Sequence, residues 1–380
     1  MALPDIPSPP PHSPTSAVID LSALAHNLGQ VRRYLPAGCD VLAVVKADAY
    51  GHGAVPVSRT LAKLGVTRFG VATVQEGAAL RDAGIEGTIL VMGALLPHQF
   101  PQLFPHRLTP VLYSPDVADA LVKEARSRLE PYPVHVKVDT GMGRLGIQPE
   151  QVPALLQSPF FKGPLRVEGL MTHLADADGP EPAYTRRQID RFRSLLSQLL
   201  AAGLSVPLVH AANSAGLISY PEARFNLVRP GIMLYGYLTG TITGRAPSLK
   251  PVLSLVTRVV QVRSLAEGES VGYNRAYVAR RPTRIAVLPI GYADGYSRAL
   301  SEQGHVLIHG APAPVAGRIC MDMTTVDVTQ IPSVRPGDEA VLIGRQGTAE
   351  VSAADVAAWR GTIPYEVLCA IGTRVTRVYR

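Results

Sequence analysis

The chain has 380 residues, 47% of them hydrophobic and 18% charged, with a formal net charge of +7. That length supports two domains, or one barrel with an appended domain, around a large core. Lys and Arg are scattered without a basic run, and only seven Phe and one Trp are available for stacking. The positive balance therefore excludes a nucleic-acid binder and favours small anionic ligands.

The first 15 residues contain six prolines and no apolar core of a signal peptide, so residues 1–16 are expected to be a disordered tail. No later stretch is long enough to span a membrane. Cys39, Cys320 and Cys369 are odd in number, far apart and without metal-ligand spacing. They fit a reducing, cytoplasmic setting with no disulfide and no metal.

From 17 to 247, short β-branched runs alternate with helical patterns. Strands are expected at 41–46, 68–73, 88–93, 109–113, 134–140, 166–172, 207–211 and 224–228, and helices include 53–64, 74–83, 115–126 and 183–202. Eight such units in series predict an α/β chain built on a parallel (β/α)8 barrel of TIM type. A doubly wound sheet is the competing arrangement. Beyond 248, short strands at 253–262, 284–290, 306–308, 313–315 and 340–343 are separated by Gly, Pro and Asp turns. They predict a mainly antiparallel β domain over 248–380, with one late helix at 352–360.

The segment 41–53 is the most informative. Five apolar residues read as a buried strand, and Lys46 stands at its C-terminal end, where barrels place their chemistry. An amine against apolar walls is disfavoured as a cation and can condense with an aldehyde. A lysine reaching from a strand end to water is the structural alternative. After the seventh strand stands Asn213-Ser214-Ala215-Gly216, and after the eighth Arg229-Pro230-Gly231-Ile232. Amide groups at such turns, with a hydroxyl and a cation, suit a phosphate dianion. A reactive amine together with a phosphate grip points to pyridoxal 5'-phosphate.

One motif competes. Gly141, Gly143 and Gly146 follow a strand, with Glu168 about 20 residues on, as in a dinucleotide fingerprint. The helical pattern starts only near Pro149, and the unit is fifth in the series, so these glycines open no helix.

Ala43-Val44-Val45-Lys46-Ala47-Asp48-Ala49-Tyr50-Gly51-His52-Gly53 closely resembles the cofactor-lysine signature of the alanine racemase family. The resemblance runs on through Lys137-Val138-Asp139-Thr140-Gly141-Met142-Gly143-Arg144, Asn226-Leu227-Val228-Arg229-Pro230-Gly231, Gly272-Tyr273 and Gly291-Tyr292-Ala293-Asp294-Gly295. Gly317-Arg318-Ile319-Cys320-Met321-Asp322 and Tyr365-Glu366 complete it, in the family's order over nearly everything after the tail.

The resemblance implies a homodimer acting on alanine, with Lys46 serving one face of Cα and Tyr273 of the partner subunit the other. It implies that Tyr50, Asn213, Ser214, Gly231, Ile232 and Tyr365 hold the cofactor. His173 would pack on the ring, and Arg229 would face the ring nitrogen and keep it unprotonated. Arg144 and the backbone of Met321 would take the substrate carboxylate. Lys137, often carbamylated in the family, would pair with Arg144; Tyr292, Cys320 and Asp322 would support the pocket. A racemase of broader specificity and a non-catalytic carrier of the cofactor are the competing functions. Cys320 and Tyr365 narrow the pocket against the first, and the second domain with Tyr273 and Met321 has no use in the second.

Overall fold

The computed structural model describes residues 13–126 and 130–380. Residues 1–12 of the expected tail lie outside them. Residues 13–16 do not: Thr15 is buried, its Oγ1 is 2.7 Å from the Thr257 hydroxyl, and a strand begins at Ser16.

That strand, β1 (Ser16–Ile19), leads into helix α1 (Leu21–Arg32), whose first amides are capped by Asp20. Next come β2 (Asp40–Val44), α2 (Lys46–Gly51), α3 (Ala54–Lys63), β3 (Arg68–Val71), α4 (Val74–Asp82), β4 (Thr88–Val91), β5 (Thr109–Leu112) and α5 (Pro115–Ala125). The series continues with β6 (Tyr132–Lys137), α6 (Val152–Gln157), β7 (Leu165–Met171), α7 (Pro182–Ala201), β8 (Leu208–His210), α8 (Ser214–Ser219) and β9 (Leu227–Val228). Side chains start the helices where the sequence offers caps. Thr73 and Glu76 form a reciprocal capping box on α4, and the Ser114 hydroxyl accepts from Val117 N–H on α5.

Strands β2 to β9 form one all-parallel sheet in the order β8-β7-β6-β5-β4-β3-β2-β9, an eight-stranded barrel that is nearly closed. The Arg229 N–H to Ala212 carbonyl bond of 2.9 Å joins the ends of the β8 and β9 runs. Buried on both faces, these strands read as near-continuous apolar runs. Phe69, Ile89, Leu90, Val134, Val136 and Leu170 are fully inaccessible, and each such side chain contributes roughly 1.5–3 kcal/mol by leaving water.

The chain divides into two compact units. One is the barrel, Ala25–Ala49 with Ala54–Leu249; the other comprises, of the described residues, 13–24, Tyr50–Gly53 and Lys250–Arg380. The second contains β10 (Leu253–Arg258), β11 (Gln261–Leu265), β12 (Ser270–Val271), β13 (Tyr277–Val278), β14 (Thr283–Leu288), β15 (His305–Ile308) and β16 (Ala311–Pro314). It ends with β17 (Thr324–Asp327), β18 (Glu339–Gln346), β19 (Ala349–Val351), helices α9 (Ala353–Arg360) and α10 (Pro364–Cys369), and β20 (Thr376–Tyr379).

Its pairings are antiparallel except β1 with β20. Thus β1 enters the second sheet and not the barrel, which differs from a barrel starting at residue 17. The run 253–262, read as one strand, is two. At Val259–Val260 the backbone changes partners, from Asp338 to Val287, and passes from one sheet to another.

Candidate active site at the C-terminal end of the barrel

Lys46 follows β2, Lys137 ends β6, His173 stands two residues beyond β7, Asn213 and Ser214 open α8 after β8, and Arg229 follows β9. All lie at the C-terminal ends of barrel strands, the end at which barrel enzymes assemble their sites.

The buried run of β2 stops at Val45, and Lys46 is exposed; apolar walls do not enclose it as its strand position suggested. Directly after it the backbone enters a left-handed turn. Ala47, Asp48, Ala49 and Tyr50 have φ of 52, 51, 53 and 56°. For non-glycine residues that conformation costs roughly 1–2 kcal/mol each. The turn is held by Ala47 N–H donating to Glu76 (2.7 Å), Ala49 N–H to the Val45 carbonyl (2.9 Å) and Ala54 N–H to Asp48 (2.7 Å). Glu76, which also completes the capping box of α4, therefore braces the backbone of the lysine's own turn.

Arg229 is buried and densely bonded. Its Nη2 donates to the carbonyls of Thr172 (2.8 Å) and Ala211 (2.9 Å) and lies 3.2 Å from His173 Nδ1. Its Nη1 lies 3.0 Å from His210 Nδ1. Burial pushes Arg229 down to about 10, still a cation at neutral pH. Burial, then the charges of Arg229, Lys137, Arg144 and Lys46, push His173 down to about 3. His173 is thus a neutral imidazole whose Nδ1 accepts from Arg229, which leaves the ring proton on Nε2. Lys137 is buried too. Desolvation, then Arg144, Arg229 and Lys46, outweigh Asp139 and bring its amine down to about 8.

The Ser214 hydroxyl accepts the amides of Gly231 (3.0 Å) and Met233 (3.3 Å), which ties the turn after β9 to the start of α8. Asn213 caps α8, its Oδ1 accepting from Gly216 N–H at 2.9 Å. Gly231 and Ile232 are buried beside them.

The glycines at 141–146 form no nucleotide cradle. Gly141 N–H (2.9 Å) and Gly143 N–H (3.1 Å) both donate to the Asp139 carboxylate, so the chain fills its own anion site. Arg144 stands exposed on this loop.

The remaining expected site residues belong to the second unit. Tyr273 sits in a turn after β12 and is 68% exposed; Tyr292 is 43% and Met321 52% exposed. Cys320 and Tyr365 are half-buried, and Asp322 is exposed. Tyr50, counted with this unit, packs its ring 5.7 Å from that of Tyr365. Burial, with Tyr365 and Cys369 adding, raises its phenol far above the ordinary value, so it is a neutral donor.

The Cys320–Met321 backbone is clamped against the turn at Gly291. Tyr292 N–H donates to the Cys320 carbonyl (3.1 Å) and Ala293 N–H to the Met321 carbonyl (3.0 Å). A Cβ on Gly291 would lie 2.2 and 2.4 Å from those same two oxygens. Arg374 joins the loop to the turn, with Nε 3.2 Å from Asp294 and Nη2 2.8 Å from Asp322. Nothing in the local sequence marks Arg374. The grouping of His135, His210 and Glu168 also escapes sequence reasoning, although a polar residue inside a buried apolar run, as in Val134-His135-Val136, is a legible signal.

Among the described residues no group of three His, Cys, Asp or Glu side chains could hold a metal ion, and no helix is long and apolar enough to cross a membrane.

A barrel with a lysine at the end of its first strand, an arginine–histidine pair at its mouth and a second β unit defines a class of enzyme, and comparison with known proteins specifies it. The family models for the alanine racemase N-terminal and C-terminal domains match residues 19–239 and 252–379. An alanine racemase of Halothermothrix orenii is 44% identical over 367 residues, covering 97% of each chain. The solved alanine racemase of Clostridium difficile 630 superposes with a TM-score of 0.91 at 36% identity, covering 97% of this chain and 96% of that one. That of Bacillus anthracis with bound L-Ala-P gives 0.90 at 33% identity, covering 98% and 96%. The chain belongs to the alanine racemase family, whose members are isomerases dependent on pyridoxal 5'-phosphate.

Proposed function

We propose that this chain is an alanine racemase, interconverting L-alanine and D-alanine as a cytoplasmic homodimer and supplying D-alanine for peptidoglycan. The observation that carries this is the gathering, at one end of the barrel of a family member, of an exposed lysine, a buried arginine and a neutral histidine bonded to it.

The residues present fit pyridoxal 5'-phosphate. Arg144, Arg229 and Lys46 each bear on the Lys137 amine as positive charges. Among the described residues only the Asp139 carboxylate opposes them at Lys137, and an anionic ligand relieves that repulsion. Lys46 would anchor the cofactor, and Arg229 would face its ring nitrogen with His173 against the ring. Tyr50, Asn213, Ser214, Gly231, Ile232 and Tyr365 would hold the phosphate. When bound, the cofactor supplies an electron sink that makes the Cα–H of the amino acid acidic.

The rest is work for this chain's own groups. Lys46 Nζ holds a proton on one face of Cα, and Oη of the partner subunit's Tyr273 holds one on the other. An ordinary phenol, near pKa 10, is a weak base at neutral pH. The Nε2–H of neutral His173 stabilises its phenolate by donating to it, while Arg229 fixes that tautomer from behind. The exposure of Tyr273, Tyr292, Met321 and Met323 is what a surface completed by a second copy requires. Arg144 and the Met321 backbone would take the substrate carboxylate, and Tyr292, Cys320, Asp322 and Tyr365 would limit the side chain to a methyl group.

Lys137, deprotonated in part at neutral pH, is suited to carbamylation. Its nitrogen bonds the carbon of CO2, a proton leaves to water, and the carbamate anion pairs with Arg144. Intact mass should show one added CO2, lost on Lys137→Ala.

The deciding experiment mixes Lys46→Ala and Tyr273→Phe chains, each inactive alone. Heterodimers should recover part of the alanine racemisation. Confirmed heterodimers without recovery remove the shared site. Bound cofactor with no racemisation, and no effect of Tyr273→Phe, would make the chain a carrier. Serine, lysine or arginine turned over as fast as alanine would make it a broad racemase.

A further inference from the structure

Behind Arg229 lies a file of buried polar groups that the proposed reaction does not use. Arg229 Nη1 is 3.0 Å from His210 Nδ1, and His210 Nε2 is 2.8 Å from His135 Nδ1. The rings meet edge to face at 72° with centroids 5.0 Å apart. His135 Nε2, a buried atom with no hydrogen-bond partner among the described residues, then faces Glu168 Oε2 at 3.7 Å, an electrostatic contact and not a hydrogen bond. Both imidazoles are fully inaccessible, whereas the Glu168 side chain is 21% exposed. The file crosses the barrel wall from the end of β9 through β8 and β6 to β7. Space for it is built in: a Cβ on Gly169, paired with His135 across the bulge between β6 and β7, would sit 2.4 Å from His135 Nδ1.

Elementary hydrogen-bond accounting gives the file one direction. A guanidinium only donates, so His210 Nδ1 must accept and its proton sits on Nε2. His210 Nε2–H donates to His135 Nδ1, so the His135 proton also sits on Nε2, aimed at a carboxylate. Reversing either tautomer sets donor against donor at 2.8 or 3.0 Å. Burial keeps both imidazoles neutral, and His135, with Arg166 and Arg68, holds the Glu168 carboxyl below its usual range against the opposing pull of its own burial.

We propose that Glu168 is a positioning residue for Arg229, acting through His135 and His210. Its carboxylate, 3.7 Å from His135 Nε2, favours a proton on that nitrogen by charge, biases both imidazoles to the Nε2–H tautomers in which His210 accepts from Arg229, and so holds the guanidinium in its orientation. Among the described residues, the contacts of Arg229 occupy Nη2 and one hydrogen of Nη1. Nε–H and the second Nη1 hydrogen are left for a ligand. The inference rests on the cofactor reading above for what that ligand is, but not for the tautomers.

Two measurements test it. In protein labelled with 15N-histidine, without added cofactor and at pH 7, His135 and His210 should both show the neutral Nε2–H pattern. An imidazolium or an Nδ1–H signal from either overturns the proposal, whatever the protein catalyses. Second, Glu168→Leu should weaken binding of pyridoxal 5'-phosphate and slow racemisation, each about tenfold, and Glu168→Gln, which keeps an oxygen but not the charge, should fall between Glu168→Leu and the parent. In a His135→Phe background, Glu168→Leu should add less than about twofold, since its route to Arg229 is already cut. Additive losses, or a silent Glu168→Leu single variant, overturn the proposal. A parent protein that neither binds the cofactor nor racemises alanine would instead strike the functional reading and leave the tautomer result standing.

Discussion

At the barrel mouth Lys137, Arg229 and His173 are drawn out of water, with their proton affinities shifted by burial and by one another. In the second unit Tyr273, Tyr292 and Met321 stand 68, 43 and 52% exposed, and what holds their loops is backbone: amide-to-carbonyl bonds and a glycine with no room for a side chain. The barrel unit carries desolvated charge, and the second unit carries exposed side chains on backbone-held loops. Substitutions should consequently act through electrostatics in the first unit and through geometry in the second.

The sharpest break is at Lys46. Lys46→Ala removes the residue proposed as both anchor and base, and racemisation should fall roughly 10³-fold or more while thermal stability stays near the parent's. Retained turnover would empty the barrel mouth of its role.

Acid should come next, and should strike the barrel first. His135, His173 and His210 sit below their ordinary value of 6.5 in the fold. The unfolded chain therefore binds protons that the folded one refuses, and stability falls as pH drops below about 6.5. Each histidine can contribute up to ~1.4 kcal/mol per pH unit, until its folded-state value is reached. Urea midpoints at pH 7.5, 6.5 and 5.5 should decline only below the second. Hydrogen exchange should loosen β6 to β8 before β14; a flat profile, or β14 opening first, would reverse the comparison.

In the second unit Gly291→Ala forces a methyl against the Cys320 and Met321 carbonyls. It should cost about 1–3 kcal/mol and raise KM for alanine more than it lowers kcat. The smallest effect belongs to Arg374→Ala. Arg374 and Asp322 face solvent, which screens their pair, and the buried Asp294 carboxylate keeps the Gly291 N–H as a donor, so KM should rise only a few-fold, and less in high salt.

Eight barrel strands were legible because each is a short, doubly buried apolar run between turn signals, as in Val41 to Val45 or Ile89 to Val91. The second unit was less so. β1 pairs with β10 and β20 across most of the chain, and the sheet change at Val259–Val260 interrupts no hydrophobic run, so local pattern carries neither fact. Of the site, Lys46, Ser214 and Arg229 could be placed from strand ends. The exposure of Lys46 could not, because it depends on how the chain turns after Val45. Glu76 and Arg374 escaped notice because their partners lie on other segments, and they look like ordinary surface charges until those segments meet.

The turn at 47–50 has a consequence for anyone engineering the protein. Four consecutive residues without glycine's freedom occupy a mirror-image conformation, so the fold is held above its own energetic floor beside the Lys46 amine. Ala49→Gly would release part of that tension and raise the melting temperature, while letting the amine wander, so robustness here is obtained by surrendering aim.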